Sequence, residues 1–320
     1  MRVSAQRAFR TPATEVGVSA LAIGGAPGKR DKVFAAAGDT VTGISRKGKT
    51  FFQFGTNLSD PVSSMWVGET DIHAVAGSSY TIFDNGQEAE FFLAPAPIGQ
   101  MRMAQLTQPD KADAVLGCAD RAVRVIAGST PAFEVPVDQP VGALAVFPPG
   151  STSTHMAVGG TSGQLSMLTG TGHTLRRGWA VENLGKHRGG GVTALAPWDG
   201  AGDGLPALVV GRDDGKVQVW RWEEGGVGSA PPSCQFTGQL GESVRCLETG
   251  CVTSSQAAQV VASTFGGRLV AFTSEALGDA DADDAYGRSK ATVQAEGHIT
   301  ALRAELKEMG AQLAQRRAKL

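Results

Sequence analysis

The feature that most constrains this chain is a repeat. Six times a short apolar strand ends in a small residue, turns tightly and returns as an alternating strand. The copies are VFAAAGDTVTGI from Val33, IHAVAGSSYTIF from Ile72, VLGCADRAVRVI from Val115, MAVGGTSGQLSML from Met156, LVVGRDDGKVQVW from Leu208 and VVASTFGGRLVAF from Val260. Aligned on Ala35, Ala74, Gly117, Gly159, Gly211 and Ser263, they recur at steps of 39, 43, 42, 52 and 52 residues. Gly163, Gly215 and Gly267 take equivalent turn positions, where a positive φ costs little only for glycine. A second element precedes each hairpin: VSALAIGG from Val18, VSSMWVGE from Val62, IGQMRMAQ from Ile98, VGALAVFP from Val141, VTALAPWD from Val192 and VRCLETGC from Val244. These small, apolar runs suit inner strands packed on both faces.

A period of about 40–50 residues with several strands per unit is the signature of a propeller blade. The rival is a β-sandwich, which seldom repeats a strand followed by a hairpin six times. The expected fold is therefore all-β: a β-propeller with six visible repeats of a seven-bladed ring. Its first blade is expected to be incomplete. AFRTPATE, from Ala8, reads as the outer strand and exit of an earlier blade. The 43 glycines among 320 residues, roughly twice the usual share, fit many tight turns.

The composition changes after the last hairpin. The propeller is assigned to residues 1–277, an acidic linker to 278–290 and the start of a coiled-coil helix to 291–320. In the linker, Asp279, Asp281 and Asp283 lack the glycine and glutamate a calcium loop requires. Ile299, Leu302, Leu306, Met309, Leu313 and Leu320 form an a/d seam, interrupted at d by Arg316. Arg317 and Lys319 add positive charge at the same end. A parallel homodimer would juxtapose two Arg316 side chains, so the seam favours a different, acidic partner helix. Gly310 weakens the helix, and a surface helix packed on its own domain remains the alternative.

Little in the sequence points to catalysis or to a cofactor. With 29 basic and 31 acidic residues the net charge is −2, which disfavours a general nucleic-acid or membrane-surface binder. GGAPGK, from Gly24, is one residue short of a phosphate loop, and Arg30 stands where a magnesium ligand belongs. GTGHTLRRG lacks the strand-to-helix context of a dinucleotide site. There is no GxSxG elbow and no HExxH. His73, His155, His173, His187 and His298 are scattered singly, so no metal site is expected. WDGAGDGLPALVVG, from Trp198, is similar to the calcium loop of some propeller blades. It keeps only Asp199 and Asp203, with Ala201 and Ala207 where further ligands would be needed. Asp213 and Asp214 read as turn residues bonded to local backbone. Cys118, Cys234, Cys246 and Cys251 show no CxxC spacing and read as buried, reduced thiols of a cytosolic protein. The opening residues lack a signal-peptide core, and no run of 18 apolar residues predicts a membrane span.

Several segments taken in order carry a resemblance: VTGISRKGKTFFQFGTNL, VLGCADRAVRVI with IAGSTPAFEVP, LVVGRDDGKVQVW with GESVRCLETGCV, and VVASTFGGRLVAF. Together they resemble the Bardet–Biedl syndrome 7 family of BBSome subunits, in register from about Phe9 to the heptads. That resemblance implies a seven-bladed propeller leading into a coiled coil. It implies a non-catalytic scaffold or adaptor role in a coat-like complex that moves membrane proteins into and out of cilia. It also implies pairing with the Bardet–Biedl syndrome 2 protein through the coiled coil, contact with the Bardet–Biedl syndrome 9 protein, and indirect contact with membrane-protein cargo. The implied location is cytoplasm, cilium and basal body, peripheral to the membrane. The rival is a propeller hydrolase or lyase, which would need reactive groups converging on the inner strands at the central channel. VSALAIGG, VGALAVFP and VTALAPWD are almost free of them.

Overall fold

The computed structural model describes residues 17–273 apart from 26–31, 46–48, 109–110, 148–153, 172–173, 183–188, 199–205, 224–226, 228–229 and 251–257. The acidic linker, the helix seam and AFRTPATE lie outside the described residues.

The strands form six antiparallel sheets, each a meander running outward in chain order. Sheet one is β1 (Val18–Gly24), β2 (Lys32–Ala37), β3 (Thr40–Ile44) and β4 (Thr50–Gly55). Sheet two is β5 (Val62–Val67), β6 (Asp71–Ala76), β7 (Ser79–Asp84) and β8 (Gln87–Leu93). Sheet three is β9 (Ile98–Gln108), β10 (Lys111–Cys118), β11 (Ala122–Ala127) and β12 (Thr130–Pro136). Sheet four is β13 (Val141–Val146), β14 (Thr154–Gly160), β15 (Leu165–Thr171) and β16 (Thr174–Val181). Sheet five is β17 (Val192–Trp198), β18 (Ala207–Arg212), β19 (Lys216–Arg221) and β20 (Ser233–Gln239). Sheet six has three described strands, β21 (Val244–Gly250), β22 (Gln259–Thr264) and β23 (Leu269–Phe272). All six inner strands begin at the residue the repeat predicts, each followed by its hairpin. Gly163, Gly215 and Gly267 turn those hairpins with φ of 94°, 85° and 81°.

Each pair of consecutive sheets encloses one apolar cluster. Phe34, Val41, Val62 and Phe83 join sheets one and two. Tyr80, Ile98, Leu116 and Ile126 join two and three, and Val115, Val123, Leu144 and Met156 join three and four. Leu165, Trp179, Leu208 and Trp222 join four and five, and Val209, Val217, Val244 and Leu247 join five and six. Inner strands touch in the same order, β1 to β5 to β9 to β13 to β17 to β21. Face-to-face stacking of successive meanders about common inner strands is the propeller arrangement, and two facing sheets are not observed.

The expectation that inner strands pack on both faces holds for β13 and β17, which bury three consecutive residues, but not for β5 and β21, which alternate. Burial on both faces is most complete in the second strand of the middle sheets, β6, β10, β14 and β18. The second strand lies where both neighbouring sheets press on it; the inner strand borders the central axis. This pressure also explains the small residue on which the repeats align. Gly117, Gly159 and Gly211 each receive the side chain of the first valine of the next inner strand, Val141, Val192 and Val244. A Cβ would occupy that space.

A β-bulge at the second residue of every inner strand was not visible in the repeat. Ser19, Ser63, Gly99, Gly142, Thr193 and Arg245 are the extra residues. At three of them a hydroxyl donates to a carbonyl of the second strand: Ser19 to Ala36 (3.3 Å), Ser63 to Val75 (3.2 Å) and Thr193 to Gly211 (3.2 Å). At Gly99 and Gly142 the carbonyl of Val141 or Val192 from the next sheet takes the space a Cβ would fill. At Gly99 and Gly142 the missing side chain thus fixes how closely the next sheet approaches.

Candidate functional site: channel, sheet junctions and edges

In a propeller the first place to look for chemistry is the axis lined by the inner strands. Arg102 on β9 is within electrostatic reach of Glu248 and Cys246 on β21, although their sheets are third and sixth in the series. Burial lowers the Arg102 pKa, and the negative charge of Glu248 opposes that shift. The strands IGQMRMAQ and VRCLETGC therefore bring charged and thiol groups toward the axis, which the three strands quoted as nearly free of them do not. Although Cys246 keeps an exposed surface, the protein packed around it, and then Glu248, push its thiol up, away from the reactive thiolate. Among the described residues no three His, Cys, Asp or Glu side chains group as a metal site.

The cysteine reading holds only in part. Cys118 is buried, Cys234 half-buried and Cys246 exposed; Cys251 lies outside the described residues. The sulfur of Cys118 lies near Arg124, whose guanidinium donates to Asp120 (2.9 and 2.6 Å) and reaches Glu134 at 3.1 Å. This stretch of VLGCADRAVRVI is an ion-paired hairpin rather than a reactive centre.

GRDDG, within one of the segments that carry the resemblance, is a junction between sheets. Arg212 is fully buried at the end of β18. Its Nε donates to Gln218 Oε1 (2.7 Å), and its Nη1 donates to the carbonyls of Gly163 (3.0 Å) and Gly190 (2.9 Å). Gly163 belongs to the hairpin turn of sheet four, so this guanidinium ties sheet four to sheet five. The carboxylate of Asp213 takes the space a Cβ at Gly190 would fill, and the carbonyl of Thr161 in sheet four's turn does the same at Gly191. Asp214 accepts from the Lys216 amide (3.2 Å) and ammonium (2.8 Å), so it is the local turn residue expected. The sequence reading passed over Arg212; its signal was a charged residue ending a wholly apolar strand.

Of the five histidines, His73 and His155 are described, in sheets two and four. His73 is buried in sheet two in a chain of side chains. Its Nε2 lies 2.7 Å from Asp71 Oδ2, its Nδ1 2.6 Å from Tyr80 Oη, and the Trp66 ring meets it edge-on at 5.1 Å. A carboxylate only accepts, so Nε2 of the neutral ring carries the proton and Nδ1 accepts from the tyrosine hydroxyl. Burial lowers the His73 pKa, against the pull of Asp71. The unfolded chain therefore binds the proton more readily below about pH 6.5. Stability contributed here is complete above that value and is lost as pH falls toward the lower folded value. Urea midpoints at pH 7.5 and 5.5 should fall with acidification, and His73→Gln should flatten that slope. An unchanged slope would show that His73 is not the group responsible.

Asp199 and Asp203, the residues of the calcium-like loop, lie outside the described residues, as do Ile299, Leu302, Leu306, Met309, Leu313, Arg316 and Leu320.

The order of the sheets and the GRDDG junction can be set against known proteins. The BBS7 β-propeller family model matches residues 2–274. The chain belongs to that family. A mouse relative described as BBSome complex member BBS7 is 29% identical over 261 residues, covering 81% of this chain and 36% of that protein. A Caenorhabditis elegans relative, BBSome complex member bbs-7, is 25% identical over 262 residues, covering 79% of this chain and 35% of that protein. The chain thus spans little more than a third of the length of these relatives. Among solved structures, the WD40 propeller domain of Doa1 superposes with a TM-score of 0.58 at 13% identity, over 80% of this chain and 79% of that one. BBS1N, solved in complex with ARL6DN, gives 0.58 at 14% identity over 77% and 75%. These two likenesses establish the propeller fold alone.

Proposed function

We propose that this chain is the propeller-bearing part of a non-catalytic scaffold subunit of the BBSome, acting in ciliary membrane-protein trafficking. The observation that carries the reading is the family match across residues 2–274, with BBSome subunits as the relatives. The channel adds support. Its thiol is raised rather than activated, the buried His73 and Arg124 are bonded within their own sheets, and the buried Arg212 is bonded into a sheet junction. In this reading the helix of residues 291–320 pairs with the Bardet–Biedl syndrome 2 protein through the seam around Arg316. The propeller also contacts the Bardet–Biedl syndrome 9 protein. The test is co-purification of the tagged chain from ciliated cells. BBSome subunits should be recovered, and removal of residues 291–320 should selectively lose the Bardet–Biedl syndrome 2 protein. Recovery of no BBSome subunit, under conditions where the tagged mouse relative recovers them, overturns the assignment.

We further infer that a seventh sheet belongs between sheets six and one. What supports it is the pair of uncovered apolar faces at the ends of the series. Leu21 and Ile23 on β1 are 67% and 71% exposed, and Phe265 and Leu269 of sheet six are both 72% exposed. Among the described residues only five clusters join six sheets. Such faces promote association in water. In the 320-residue chain, Leu21→Ser combined with Ile23→Ser should raise soluble yield without lowering the melting temperature. A fall of several degrees would mean that the face is already covered.

A further inference from the structure

Sheet two differs from its neighbours in charge and in the chemistry of its outer edge. No lysine or arginine occurs between Lys49 and Arg102, whereas Glu69, Asp71, Asp84, Glu88 and Glu90 all fall in sheet two or its turns. A chain whose overall charge is close to balanced thus concentrates negative charge on one blade.

The outer strand of that blade, β8, is the most exposed outer strand described: every residue except Phe92 is exposed. Two large apolar side chains stand on it, Phe91 (62% exposed) and Leu93 (64%). Pairing with β7 places them opposite Thr81 and Ser79, on one face. A bulge at Ala89 alters the alternation, because Ile82 pairs with Glu90 but Phe83 pairs with Glu88. Glu88 is thereby brought to the face of Phe91 and Leu93 instead of the opposite one. Among the described residues Glu88 makes no ion pair, and β8 has no strand on its outer side. Of the other outer strands, β12 contains Pro131 and Pro136 and β16 contains Arg176 and Arg177, features that discourage pairing, whereas β4 and β20 lack these but carry no acidic residue. β8 has neither proline nor a positive charge. Its glutamates repel another acidic strand but attract a basic one.

We propose that β8 is a docking edge for an extended, basic segment of a partner protein. The segment adds as a fifth strand to sheet two, with Lys or Arg opposite Glu88 and apolar side chains over Phe91 and Leu93. Main-chain hydrogen bonds supply affinity, and the charge and the apolar pair supply selection. This surface does not depend on which complex the chain joins.

The experiment uses the whole 320-residue chain and three fluorescent nine-residue probes. One alternates lysine and valine, one alternates glutamate and valine, and the third is the lysine probe N-methylated on the amides that would face β8. Fluorescence anisotropy is measured with the parent chain, Glu88→Lys, and Phe91→Ser combined with Leu93→Ser. All three positions are exposed, and unchanged thermal melts check the fold. The lysine probe should bind the parent in preference to the glutamate probe and weaken as salt rises. Its affinity should fall at least tenfold in either variant and on N-methylation, and Glu88→Lys should reverse the charge preference. Equal binding by parent and both variants overturns the proposal, and so does equal binding of the N-methylated probe. Concentration-dependent dimers of the parent that disappear in Phe91→Ser with Leu93→Ser would also overturn it, in favour of a second copy of this chain as the occupant.

Discussion

Replacing Arg212 with alanine should lower the melting temperature of the propeller by roughly 10 °C. One guanidinium satisfies Gln218 and the carbonyls of Gly163 and Gly190, and it does so from a fully buried position. Removing it takes the donor from both carbonyls at a closed junction, each costing about 1–3 kcal/mol, while Gln218 keeps only the longer bond from Trp220 Nε1 (3.4 Å). A total of about 3–5 kcal/mol, at about 2–4 °C per kcal/mol for a domain of this size, gives the expected shift. Burial lowers the Arg212 pKa, so the site exacts a desolvation cost that its hydrogen bonds must offset. Arg212→Lys should recover little, because a single ammonium cannot reproduce the planar fork that spans two carbonyls and an amide. A melting temperature within about 2 °C of the parent for Arg212→Ala would show that sheets four and five are held together by their apolar cluster alone.

Gly142→Val should be comparably severe for a different reason. Gly142 is the bulge residue of β13, and the backbone carbonyl of Val192 occupies the space its Cβ would take. A carbonyl in the next inner strand cannot rotate away as a side-chain tip can, so sheets four and five must separate at the axis. A cost of about 3 kcal/mol or more is expected, the upper range for overpacking. Gly250→Ala is the control, since nothing lies within 4 Å of a Cβ placed there. Thermal unfolding followed by near-ultraviolet circular dichroism distinguishes the two. Similar melts for Gly142→Val and Gly250→Ala would remove the close approach as an explanation for the glycine.

Both predictions concern residues whose roles differ in how far the sequence shows them. Gly163 and Gly215 were legible because a tight hairpin turn requires positive φ, a local property of the chain. Gly142 was visible only as part of a small, apolar run. The atom that excludes its Cβ belongs to a residue fifty positions later, and no local rule reports it. Arg212 likewise stood in plain view within GRDDG. Its partners Gly163 and Gly190 meet it only when two sheets stack.

The repeat by itself determined the six strand-and-hairpin units, where their inner strands begin and the propeller they build. Alternation and turn chemistry act over a few residues and leave their period in the chain. The resemblance carried by ordered segments such as GRDDGKVQV pointed to the family that the match across residues 2–274 establishes. Only the tertiary structure decided which strand is buried on both faces, because that depends on pressure from the sheets on either side. It alone showed that Arg102 comes within electrostatic reach of Glu248 and Cys246 from a sheet far away in sequence. It alone showed that the bulge at Ala89 turns Glu88 toward Phe91 and Leu93. A bulge changes the face of every residue beyond it, and whether one forms is settled by pairing with a neighbouring strand rather than by the residues of the strand itself.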